Sequence, residues 1–192
     1  GLTMNMLAFG RPREPEFTLT PLQSLVQDAA DLLEPVCSQR GVALIVDADS
    51  DVPPVAIDSN LVHQALMNLL GNAADAAPEK TGVVTVRVSY HEPTPEQAAA
   101  RPTAQPHARI SVTDNGPGIQ PERLRWIFEP FHTTKGLRGT GLGLAVTKRI
   151  VDEHRGRLTV DSAPGKGAVF TMYLPASTAE AMDPSQTHGG GV

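Results

Sequence analysis

The stretch ISVTDNGPGI, residues 110–119, alternates apolar and polar side chains as far as Asp114 and then breaks into a glycine turn. A period of two marks a half-buried strand, so Asp114 stands where a strand gives way to a tight turn. Gly116 and Gly118 would let a flat ligand approach the backbone. A buried carboxylate there can accept a hydrogen bond from an exocyclic amine, which is one way to select adenine over guanine. An ordinary Asx turn accounts for the same residues without any ligand.

Working outward, Val84, Val86, Val88 and Tyr90 repeat the alternation upstream, and the Pro-, Ala- and Gln-rich segment 91–108 reads as a long exposed hairpin connection. Downstream, 158–161 and 169–174 predict a closing antiparallel pair across Pro164-Gly165. Val42 to Val46 fits a further strand, Asp47 to Pro54 an acidic turn, and Phe17 to Thr20 a short edge strand. Leu22, Leu25, Val26, Ala29, Leu32, Leu33, Val36 and Cys37 recur at helical spacing up to Gly41, with Pro35 expected to kink that helix. A second helix should start near Asp58 or Ser59. Its apolar positions Val62, Leu66, Leu69, Ala73 and Ala76 run beside a polar stripe of Asn68, Asn72 and Asp75. A third helix is expected over about 142–154. Together these elements predict an α+β fold: a two-layer α/β sandwich with a mixed, mostly antiparallel sheet of about five strands, covered on one face by three helices. Residues 1–16 read as a helix end and linker, 17–175 as the globular domain, and 176–192 as a disordered tail.

A chain of 192 residues with 40% hydrophobic content can bury one substantial core. Its formal charge of -5 argues against a surface built to neutralise nucleic-acid phosphates. The single cysteine, Cys37, cannot form an internal disulfide, suits a reducing, cytoplasmic setting, and falls on an apolar stripe where packing outweighs reactivity. No apolar run reaches the roughly 20 residues needed to span a bilayer, so no direct membrane contact is expected. Solenoid or propeller repeats are absent from the sequence.

Two further patterns carry chemistry. Gly139-Thr140-Gly141-Leu142-Gly143-Leu144 precedes the third helix, where free amides and the helix dipole can hold phosphate oxygens. Its spacing is neither that of a dinucleotide fold nor that of a phosphate-loop lysine motif, and a flexible hinge explains it equally well. Asn68 and Asn72 lie one helical turn apart, so both amides can face one small volume. Mg²⁺ takes oxygen ligands and bridges substrate phosphates, although a pair of surface amides is the simpler reading.

In order, an asparagine helix, an Asp-x-Gly-x-Gly turn and a Gly-x-Gly-x-Gly turn resemble the boxes of the sensor histidine kinase catalytic domain. That domain belongs to the ATPase superfamily shared with gyrase, heat-shock chaperone and mismatch-repair proteins, with its Bergerat-type ATP-binding fold. Phe128-Glu129-Pro130-Phe131, followed by Thr133-Thr134-Lys135, looks like the kinases' phenylalanine box, and residues 9–15 resemble the junction of nitrogen-regulatory-type kinases. The resemblance implies that Asn72, with Asn68, holds Mg²⁺, that Asp114 recognises the adenine amine, and that Gly116, Gly118 and Ile119 wall the base. It implies a mobile lid from about Glu122 to Arg138, anchored by Phe128 and Phe131. Thr133, Thr134, Lys135, Arg138, Gly139, Thr140, Gly141, Leu142, Gly143 and Leu144 would then close on the triphosphate, with Asn68 and Lys135 acting in phosphoryl transfer and Asp75 near phosphate.

Related hydrolases carry a water-activating Glu where this chain has Asn68. An amide is a poor general base, so the resemblance points to transfer rather than hydrolysis. None of the six histidines sits in the context of a phosphoacceptor. The implied partners are therefore a helical dimerisation and phosphoacceptor domain of the same protein and the receiver domain of a response regulator. An anti-sigma-type serine kinase and a nucleotide-gated interaction module are the alternatives. Three positions depart from the pattern: Asp75 replaces a basic residue, Ala168 stands where Thr is frequent, and His132 replaces an aromatic.

Overall fold

The computed structural model describes residues 14–94, 96, 105–131 and 141–176. The chain forms β1 (Thr18–Thr20), α1 (Leu22–Gln39), β2 (Ala43–Ala48), β3 (Val55–Ile57), α2 (Ser59–Ala76), β4 (Val83–His91), β5 (His107–Asp114), α3 (Pro121–Leu124), α4 (Gly143–Glu153), β6 (Arg157–Ser162) and β7 (Ala168–Pro175). Five strands form one sheet in the order β2-β4-β5-β7-β6. The β2–β4 pair is parallel and the rest are antiparallel, as the sequence predicted.

Side-chain alternation decides which sheet face is covered. Val84, Val86 and Val88 of β4, Ile110 and Val112 of β5, and Phe170, Met172 and Leu174 of β7 share one face through their register and are all buried. The apolar stripes of α1, α2 and α4 close over that face, with Leu66, Leu69 and Leu70 of α2 at its centre. Each such side chain contributes roughly 1.5–3 kcal/mol relative to exposure. The opposite face is polar: Arg87 lies there, paired with Asp47 at 2.9 Å and Asp49 at 3.1 Å. These exposed pairs are worth little individually.

Local chemistry sets the helix ends. Asp58 caps α2 by accepting from the amides of Asn60 and Leu61, a contribution of about 1 kcal/mol. At the end of α1, Gly41 takes φ +66°, while the Val42 amide reaches the Cys37 carbonyl (2.9 Å) and the Gly41 amide that of Ser38 (3.0 Å). This Schellman arrangement needs a residue without Cβ strain. The helix runs through Pro35 from Leu22 to Gln39.

Two short elements, β3 and α3 (Pro121–Leu124), are absent from the sequence reading. Residues 55–57, to which the sequence pattern assigns no element, form β3 and pair with β1 as a separate two-stranded sheet. Three consecutive buried residues after a proline pair leave no alternation to detect. The expected helix end over 2–9 and the tail from 177 lie outside the described residues.

Cys37 is fully buried on the core face of α1. Burial, reinforced by Glu34 and opposed by Arg40, holds its thiol above the usual range. Native protein should therefore leave a colourimetric thiol reagent unconsumed over the time in which denatured protein consumes one equivalent. Prompt reaction in the native state would contradict the buried placement.

Candidate functional site

Helix α2 is the spine of the site. Asn68 and Asn72 are half-buried one turn apart on it. The Asn68 Nδ2 donates to the Gly143 carbonyl at 3.3 Å, and the buried Thr147 Oγ1 donates to the same oxygen at 2.9 Å. A Cβ on Gly143 would lie 3.7 Å from the Asn68 amide carbon, so the first residue of α4 rests against Asn68. At the far end of α2, a Cβ on Gly116 would come within 2.7 Å of both the Ala76 carbonyl oxygen and the Asp114 Oδ1. The glycine turn after β5 thus backs onto the last residue of α2. From Asn68 to Ala76 the helix rises about 12 Å. Asn72 lies midway, so the three motifs follow one another along one side of α2.

Asp114 ends β5 between Val84 of β4 and Ala168 of β7 and is 5% exposed. Its Oδ1 accepts from the Gly116 amide at 2.8 Å. Burial pushes the carboxyl above its ordinary value, and hydrogen bonds from the Gly116 and Ala168 backbone amides oppose that rise. The group is held by donors on the protein side while its surroundings favour a partner that can share its charge. The departure at Ala168 therefore leaves a backbone contact to the carboxylate in place.

The turn is fixed from two sides. Asn115 accepts from the Val83 amide at 2.8 Å through Oδ1 and donates to the Thr81 carbonyl at 3.0 Å through Nδ2. On the other side, the Gly165 amide donates to the Pro117 carbonyl at 2.7 Å. The Ile119 amide donates to Ser162 Oγ at 2.9 Å, and that hydroxyl donates to the Gly167 carbonyl at 2.6 Å. Gly118 has φ +71° and Gly167 φ +72°, and a Cβ on Gly118 would sit 2.0 Å from the Ala163 carbonyl oxygen. The β6–β7 turn therefore clamps the Asp114 turn in position. Ser162 and Gly167 escaped the sequence reading; glycines flanking Lys166 were the only available signal.

At the other end, Gly141 takes φ +67° and its carbonyl accepts from the Phe131 amide at 3.0 Å. Leu142 is buried, and Leu144, Ile119 and Phe128 pack partly against the core. The N-cap Leu142 supplies no side-chain acceptor to α4, and a helix N-terminus is in general suited to an anion. Phe131, expected to anchor the lid, is instead 78% exposed with φ +67°. Asp75 is exposed at the end of α2. His132, Thr133, Thr134, Lys135, Arg138, Gly139 and Thr140 lie outside the described residues.

Among the described residues, no group of three or more His, Cys, Asp or Glu could hold a metal. A cation at this site would rely on amide oxygens and on oxygens of its own ligand, which suits Mg²⁺ better than a transition metal. Again among the described residues, no helix is long and apolar enough to cross a membrane.

Residues 57–178 match the family described as histidine kinase-, DNA gyrase B-, and HSP90-like ATPase. Over 170 residues the chain is 36% identical to the signal transduction histidine-protein kinase AtoS of Escherichia coli (strain K12), covering 88% of this chain and 26% of that protein. The chain thus spans about a quarter of that relative's length. Among solved structures, it is similar to the nucleotide-free catalytic domain of histidine kinase ThkA, with a TM-score of 0.71, 30% identity, and coverage of 84% of this chain and 96% of that one. Similarity extends to ThkA in complex with the response regulator protein TrrA, with a TM-score of 0.73, 26% identity, and coverage of 92% and 46%.

Proposed function

The chain belongs to the histidine kinase-, DNA gyrase B- and HSP90-like ATPase family, and from that premise we propose that it binds Mg-ATP and presents the γ-phosphate to a histidine on a separate helical hairpin domain of the same protein. One observation carries the reading: Asn68 touches the start of α4 while Ala76, two turns on, touches the turn that holds Asp114. In this reading the base-reading and phosphate-holding groups sit at opposite ends of one helix face.

In this reading Asp114 accepts from the adenine amine, and Gly116, Gly118 and Ile119 form the wall beside the base. The backbone at the start of α4, around Gly141, Leu142, Gly143 and Leu144, receives phosphate oxygens. Asn72 offers a neutral oxygen to Mg²⁺, with Asn68 beside it; the bound ion would neutralise charge on the phosphates. Lys135 and Arg138, with Thr133, Thr134, Gly139 and Thr140, complete the phosphate end from the lid. Asn68 acts beside the transferred phosphoryl group in this reading, and its bond to the Gly143 carbonyl supports a further part in positioning α4. With no carboxylate at that place to activate water, the pocket favours transfer to a presented acceptor over hydrolysis. A response regulator receives the phosphoryl group in turn.

Asn72→Ala tests the metal assignment. Calorimetric titration should show ATP affinity falling about tenfold or more with Mg²⁺ present and changing little with Mg²⁺ chelated. Equal losses under both conditions would remove Asn72 from the metal.

A further inference from the structure

His91 and His107 are absorbed by neither the fold nor the nucleotide site, yet they face each other directly. They are register partners at the open end of the β4–β5 ladder, on the sheet face away from the helices, where the connection between the two strands leaves the sheet. Their ring centres lie 5.1 Å apart with planes tilted by 49°. Two imidazoles sharing a tetrahedral cation, each nitrogen about 2.0–2.1 Å from it, have ring centres about 5 Å apart. The observed spacing matches what a shared cation requires.

The hydrogen bonding agrees. His107 Nδ1 lies 3.1 Å from the Gln105 carbonyl oxygen, which can only accept, so Nδ1 carries the proton and donates. Nε2 is then the nitrogen on which a cation would sit, and an outer carbonyl on the second nitrogen is the usual arrangement for a metal-bound histidine. Tyr173 of β7 packs against the same ring, with centres 5.6 Å apart, and restrains its orientation.

We propose that His91 and His107 form a two-histidine site for a divalent transition cation of the Zn²⁺ class, with water or an outside ligand completing its coordination. Imidazole suits such ions and not Mg²⁺, so this site is separate in chemistry and in place from the one on α2. A bound cation would clip the base of the β4–β5 connection and stabilise the folded chain by linkage.

The test is calorimetric titration of Zn²⁺ into metal-stripped, nucleotide-free protein, with thermal unfolding recorded in parallel. One equivalent should bind, raise the melting temperature, and be indifferent to excess Mg²⁺. His91→Ala, at an exposed position, and His107→Ala should each weaken binding about tenfold or more and abolish the thermal shift. His63→Ala and the double variant His132→Ala with His188→Ala should bind as the parent does. Absence of Zn²⁺ binding, or affinity that survives His91→Ala, or loss that follows the control variants instead, would overturn the proposal.

Discussion

Asp114→Asn should lower Mg-ATP affinity at least about 100-fold, equivalent to about 2.7 kcal/mol, while the nucleotide-free domain melts at an unchanged or higher temperature at neutral pH. The binding loss follows from reversed polarity. Where a carboxylate oxygen accepts from the adenine amine, an amide would set a donor against a donor and leave both unpaired in a dry site. Stability moves the other way because the carboxyl of Asp114 is raised in the folded state by burial, against the pull of the Gly116 and Ala168 amides. A group whose folded value is raised contributes stability at low pH and loses it as pH rises through that folded value. At neutral pH the ionised carboxylate is a cost, and asparagine removes it while its carbonyl can keep the Gly116 bond. In the window just above the ordinary carboxylate range, the parent should therefore gain stability on acidification and Asp114→Asn should not. Unchanged ATP affinity in calorimetry would remove the adenine assignment; a collapsed variant would show the carboxylate to be structural.

Gly167→Ala should unfold the domain more easily by about 3–5 kcal/mol. A methyl there would stand 1.9 Å from the Asp114 carbonyl oxygen and 2.9 Å from its carbonyl carbon, at a φ of +72°. Both obstacles are backbone, so neither can swing aside. Gly165→Ala is the internal control: its φ is +75°, but nothing lies within 4 Å of the added methyl. Only the left-handed strain of about 1–2 kcal/mol remains there. Because Gly167 buttresses the carbonyl of Asp114, any folded Gly167→Ala protein should also bind ATP weakly. Urea denaturation of the two variants checks the contrast, and equal midpoints would contradict the packing described for the turn.

The parts of the fold legible in sequence were those with a period. Val84, Val86 and Val88 alternate, and the stripe from Leu22 to Cys37 recurs every three or four residues, so β4 and α1 could be read directly. β3 has no period, since all three of its residues are buried, and its pairing with β1 is a long-range event. The ends of the site were legible as motifs, but the devices that join them were not. The Asn68 bond to Gly143 spans 75 residues, and the Ser162 bridge from Ile119 to Gly167 joins two turns. Such contacts leave no local trace. His154 shows the same limit: read as a helix end, it is buried, accepts from the Asp58 amide at 3.0 Å, and packs edge-on against Phe17 at 5.2 Å. It ties the end of α4 to the start of α2. Phe131 differs for another reason: an aromatic residue suggests a core contact, whereas its ring is 78% exposed on a backbone of positive φ.

The central claim concerns where the γ-phosphate goes, and one measurement addresses it directly. The chain is mixed with a separately produced helical dimerisation domain of a related kinase and ATP labelled on the γ-phosphate, and the label is followed on each polypeptide. The expected result is acid-labile label on a histidine of the hairpin domain, none held stably on this chain, and no transfer by Asp114→Asn. Acid-stable label on serine, stable label on this chain alone, or release of free phosphate in place of transfer would contradict the account.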